Sequence, residues 1–142
     1  MNRHEFERLR DLPDKRIISD IIFTPSKQVS TTLTFDRVQV LNALDEEILL
    51  NGRYKPDIPS LAFNFVIPGV GPICRLEVNA TIHKAAGRTH KHGVMKESCP
   101  RLNLPFADAR LEFDLNTQSP QEIWIIFCRQ ANITHLGAFI IQ

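Results

Sequence analysis

The chain has no run of apolar residues long enough to span a bilayer, and Met1 to Arg10 is charged where an export signal would be apolar. Neither export nor membrane insertion is expected. Net charge is also nearly absent. Seventeen Lys and Arg against sixteen Asp and Glu leave +1, so attraction to nucleic acid or an anionic surface has to come from a local patch. Cysteine is scarce and odd in number: Cys74, Cys99 and Cys128 show no C-x-x-C spacing, which argues against a disulfide framework or a cysteine zinc ribbon. A reducing cytosol fits best. No aromatic residue interleaves with the small basic neighbourhood of Lys84, Arg88 and Lys91, so a stacking platform for single-stranded nucleic acid is not indicated there. There are no internal repeats. What remains, 43% hydrophobic and 23% charged in 142 residues, matches one globular domain over 1–142.

Phe6, Leu9 and Leu12 recur at helical spacing before Pro13 and predict a short N-terminal helix. Arg16 to Phe23 and Val29 to Val40 read as strands, the second bulged near Asp36, where the parity of its apolar residues shifts. Ile48 to Leu50 followed by Asn51-Gly52 reads as a hairpin turn. Leu61 to Ile67 and Ala109 to Leu115 alternate as strands, and Ile133 to Ile141 forms a last one. Ser119-Pro120-Gln121-Glu122 combines a serine cap, a proline at the first helical position and a glutamate three residues after the cap, predicting a helix from Pro120 to about Ala131. These elements predict an α+β fold: a largely antiparallel sheet with an N-terminal helix and the 120–131 helix packed on it.

Cys74 to His92 concentrates the chemistry. Cys74, Leu76, Val78, Ala80 and Ile82 alternate with Arg75, Glu77, Asn79, Thr81 and His83, the period of a strand with one buried face. A two- or four-residue loop around Ala86-Gly87 would pair His83 with His90 and Thr81 with His92. Arg75, Glu77, Asn79, His83, Arg88, His90 and His92 would then share one face. An antiparallel sheet ordinarily has one solvated polar face, and that bland account competes with a site. Three of the five histidines within ten residues favour the site.

Three chemistries could use such a cluster. In phosphodiester cleavage, by an RNase or toxin-like domain, His83, His90, His92 and Glu77 exchange protons while Arg75 and Arg88 hold the phosphate, with Asn79 as a further substrate contact. In a metal site, His83, His90 and His92 ligate zinc or another transition metal, with Glu77 or Glu97 as an oxygen ligand. No cofactor is required in the first case. In the third, the same side chains hold an RNA, another phosphate-containing ligand or a protein partner without turnover, as in an accessory or antagonist protein. Cys99, before Pro100, is a weaker nucleophile candidate, and Cys74 and Cys128 fall on apolar faces as core residues.

Two resemblances attach to these residues. His90-Lys91-His92 followed by Glu97 is similar to the first metal motif of cupin barrels, which implies metal binding. Arg75-Leu76-Glu77, His83, Gly87 and His90-Lys91-His92, with Phe127-Cys128 and Asn132-Ile133, resemble a family of small uncharacterised bacterial proteins with an R-x-acid, histidine, glycine, H-x-H pattern. That resemblance covers Ile58 onward and implies a bacterial cytosolic origin and a grouping of these residues, without an activity.

Overall fold

The computed structural model describes residues 3–79, 90–93, 106–109 and 112–142. Helix α1 (Arg3–Arg10) and helix α2 (Pro120–Gln130) flank strands β1 (Lys15–Ile17), β2 (Ile21–Pro25), β3 (Leu33–Val40), β4 (Ile48–Lys55), β5 (Ser60–Ile67), β6 (Gly71–Val78), β7 (His90–Gly93) and β8 (Phe106–Ala109), with β9 (Ile133–His135) and β10 (Phe139–Ile141) last. The sheet order is β10-β2-β3-β4-β5-β6-β7-β8, antiparallel from β2 to β8. The fold is the expected α+β class. Among the described residues no helix is long and apolar enough to cross a membrane.

The core lies on one face of this sheet. Phe23, Phe63, Leu50, Leu61, Leu76 and Val78 are fully buried there, and Leu9 and Leu12 from the α1 region join them. Helix α2 starts where its sequence signals place it. Ser119 Oγ accepts from the Glu122 amide at 3.2 Å, while Glu122 Oε2 accepts from the Ser119 amide at 2.7 Å, a reciprocal capping box. Its buried Trp124 and Phe127 meet the sheet in aromatic pairs: Trp124 with Phe63 at 5.0 Å, edge to face, and Phe127 with Phe65 at 5.6 Å, stacked. The helix ends at Ala131, and Asn132 takes the left-handed conformation (φ 57°) that releases the chain toward β9.

Five sequence expectations need correction. The strand expected over Arg16–Phe23 is broken at residues 18–20 into β1 and β2, and the one over Ile133–Ile141 is broken in the same way into β9 and β10. The two breaks face each other, because β9 runs parallel to β1 and β10 parallel to β2. His135 fastens this seam: Trp124 Nε1 donates to its Nδ1 at 3.0 Å, so the Nε2 proton is free to reach the Ser19 carbonyl, also at 3.0 Å.

Asn51-Gly52 is not a turn. It lies inside β4, where Asn51 pairs with Asn64 and Gly52 with Phe35 and Phe63. Glycine is needed at 52 because a Cβ there would overlap the Phe35 ring. Gly52→Ala is therefore expected to destabilise the protein by about 1–3 kcal/mol through overpacking. Urea unfolding followed by tryptophan fluorescence should show a lower midpoint with an unchanged slope.

The strand expected over Ala109–Leu115 is displaced toward the N-terminus. β8 is Phe106–Ala109, while Phe113 is buried inside a turn-rich segment whose amides are tied to Asp114 and Gln118 side chains. Finally, β6 stops at Val78 rather than continuing to His83, because Asn79 turns out of the strand at φ 55°. The β3 bulge does fall where parity shifts, between Phe35 and Val38, with Arg37 at φ 57° and its amide donating to Asn51 Oδ1 at 2.7 Å.

Candidate functional site

The alternation of β6 sorts its residues as their types require. Cys74, Leu76 and Val78 are buried in the core, and Arg75 and Glu77 occupy the outer face. The neighbour β7 supplies the histidines. Its pairing sets Glu77 opposite His90 and Arg75 opposite His92, with Leu76 opposite Lys91. Directly opposed residues share a face of the pleat, at Cβ separations of about 5 Å. Arg75, Glu77, His90 and His92 are thus brought to one face, and Lys91 is at a position of the other.

The pairing of His90 with His83 and of His92 with Thr81 is overturned. His90 pairs with Glu77, six positions before the expected His83, and β6 ends at Val78 where Asn79 turns at φ 55°. The even parity of the expected connection survives, so odd residues of β6 still share a face with even residues of β7. His83 and Arg88 lie outside the described residues, as do Glu97 and Cys99.

On β5 the outer face continues with Ala62 opposite Glu77 and Asn64 opposite Arg75. On β4, Arg53 pairs with Ala62 and Asn51 with Asn64. Two cross-strand rows result. One runs Arg53, Ala62, Glu77, His90, Ala109; the other runs Asn51, Asn64, Arg75, His92, Ala107. Alanine occupies positions 62, 107 and 109 of these rows.

Glu77 is only 5% exposed although it belongs to the outer face, and the Arg75 guanidinium, about a third exposed, is paired with its carboxylate. An ionised glutamate is retained at such burial only with partners, and the adjacent arginine supplies one. Arg75 keeps donors to spare, since a guanidinium carries five N–H groups. A buried carboxylate, a partly solvated arginine and two imidazole positions on a single face can accept a proton, deliver one and hold an anion.

Asn79 is placed differently from the expectation that it contacts substrate. Its Oδ1 accepts from the Leu115 amide at 3.2 Å, so the side chain ties the end of β6 to the segment before α2. Asn64, which sequence reading passed over, belongs to the site. Its signal was present: it is the polar member of the Leu61–Ile67 alternation between two core phenylalanines.

Cys74 and Cys128 are buried and form no disulfide, as their apolar faces imply. Burial pushes the Cys128 thiol up to about 12, which keeps it protonated and unreactive. Because the unfolded thiol ionises near 9 and the folded one near 12, stability is expected to fall as pH rises through that window. Cys128→Ala should lose this component, which chemical denaturation at pH 8 and pH 10.5 will show.

Among the described residues no group of three or more His, Cys, Asp or Glu side chains is placed to hold a metal ion. A cavity of about 750 Å³ opens over β2 and β3, lined by Asp20, Thr24, Lys27 and Asp36 among others. It includes none of the candidate site residues. Comparison of the chain with family models, curated proteins and solved structures finds no match.

Proposed function

We propose that the outer face of β6 and β7 is a phosphodiester-cleaving site, of the RNase or toxin-like kind, acting on RNA or a related ligand. The observation that carries this reading is the β6–β7 register, which sets Glu77 opposite His90 and Arg75 opposite His92 on one face. In RNA cleavage the ribose 2′-oxygen attacks phosphorus, loses its proton to a base, and expels the 5′-oxygen, which gains a proton from an acid. Two imidazole positions next to a carboxylate provide that base and acid. Arg75, paired with Glu77 yet partly solvated, can turn its remaining donors to the phosphate and to the charge that grows on it. His83 and Arg88 remain acid-base and phosphate-holding candidates on sequence grounds. The buried, reduced Cys74 and Cys128 support a reducing, cytoplasmic setting.

The test is incubation of the purified protein with labelled RNA and single-stranded DNA, with and without EDTA. Cleavage of RNA that resists EDTA and is lost in His83→Ala and His90→Ala is the expected result. No cleavage by the wild type, or cleavage unchanged in both variants, would overturn the reading. Cleavage abolished by EDTA would replace it with a metal-dependent mechanism using the same histidines.

A further inference from the structure

Asn64 Oδ1 is the only buried side-chain oxygen or nitrogen without a hydrogen-bond partner among the described residues. Buried polar atoms are almost always paired, and an unpaired one opposes folding. The position does not call for a polar residue on packing grounds. Phe63 and Phe65 on either side serve the core, and Ala62 and Val66, two positions away on the same face, are apolar.

Nor do its neighbours satisfy it. Asn51, its cross-strand partner on β4, is held at its Oδ1 by the Arg37 amide, and its Nδ2 makes no hydrogen bond to Asn64 Oδ1. Arg75, its partner on β6, directs its guanidinium to Glu77. An unsatisfied acceptor thus adjoins the arginine to which the phosphate role falls. Resting on the function proposed above, we infer that Asn64 is a ligand-reading residue: its Oδ1 accepts a hydrogen bond from an N–H or O–H that lies beside the phosphate held by Arg75.

A nucleotide carries two donors of this kind, the ribose 2′-hydroxyl and the N–H groups of the base. The shared chemistry is a neutral donor within a few ångströms of a phosphate. A fully ionised phosphate or polyphosphate, which has neither N–H nor O–H to give, would leave Asn64 unsatisfied. Asn64→Leu separates reading from architecture, because it keeps the volume and removes the orphaned acceptor. Its melting temperature should equal or exceed that of the parent, while its ligand binding falls.

The experiment is fluorescence anisotropy with a 12-nucleotide RNA and a DNA of the same sequence, on a His90→Ala background that keeps the RNA intact. Asn64→Leu is expected to weaken RNA binding about tenfold, the loss of one hydrogen bond. A loss on RNA alone assigns the donor to the 2′-hydroxyl, and an equal loss on RNA and DNA assigns it to the base. Unchanged affinity for both overturns the role of Asn64 and leaves the phosphodiester site standing. Binding of neither nucleic acid by the parent overturns both. Asn64→Ala repeats the measurement if Asn64→Leu does not fold, with the same expected loss.

Discussion

If the proposed site cleaves RNA, Arg75→Ala is expected to lower the rate by about 10²–10³-fold, the cost typical of removing one preorganised donor to a developing anion. The effect falls on kcat more than on KM if the guanidinium strengthens its bonds as charge grows on phosphorus, and on KM alone if it merely binds. Arg75→Lys is expected to recover little, because a single ammonium cannot hold Glu77 and a phosphate through separate, planar donors. A second consequence is structural. Arg75 is about a third exposed and partners a carboxylate that is 7% exposed, so its removal also costs stability, on the order of 1 kcal/mol after solvent screening. Steady-state kinetics together with a melting curve separates the two. A loss of activity that tracks the unfolded fraction would place Arg75 in the scaffold and not in the chemistry.

The largest effect on folding is expected at Gly137→Ala. Residues 136–138 cross the break between β9 and β10 against residues 18–20, held by the Leu136 amide on the Ile17 carbonyl, the Ile21 amide on the Ala138 carbonyl and the Ala138 amide on Asp20 Oδ1 at 2.8 Å. A Cβ at 137 would overlap the Ser19 carbonyl and crowd the Asp20 nitrogen. These are backbone atoms, locked into ladders on both sides, and they cannot swing away as a side-chain tip would. The parallel seam that closes the C-terminal segment on β1 and β2 would have to open. A destabilisation of about 3 kcal/mol or more follows, at the upper end of what overpacking produces. Urea denaturation followed by the fluorescence of Trp124, which bonds His135 beside the seam, measures it. A midpoint within experimental error of the wild type would show that the seam contributes little.

Local signals in the chain predicted well where the physics is local. Ser119 and Glu122 cap α2 as their spacing requires, and the parity change between Phe35 and Val38 marks a real bulge. Cys74, Leu76 and Val78 alternate into the core as read. Tertiary contacts decided the remainder. Asn51-Gly52 carries the strongest turn chemistry of its segment, yet it lies within a strand because the Phe35 ring occupies the space above Gly52. The parallel seam joins residues 118 positions apart, Ile21 with Phe139 and Lys15 with Ile133, a pairing no short window encodes.

The site was legible in parity but not in register. Which residues of β6 and β7 share a face follows from counting by twos, whereas the particular partner of His90 depends on where β6 ends. That end is set by the left-handed turn at Asn79, whose carbonyl is drawn to the Leu115 amide. Asn64 was missed for a related reason. An asparagine on an outer face looks like ordinary surface until the burial and the unpaired oxygen are seen together.

The central claim is that pairing of β6 with β7 makes Glu77 and His90 act as one unit. A double-mutant cycle on the RNA cleavage rate, using Glu77→Gln, His90→Asn and the combined variant, tests it most directly. Residues that act together give losses that do not add, so the double variant is expected to be no slower than the worse single variant within about threefold. Losses that multiply across the two substitutions, or a wild type that cleaves no RNA, would contradict the claim.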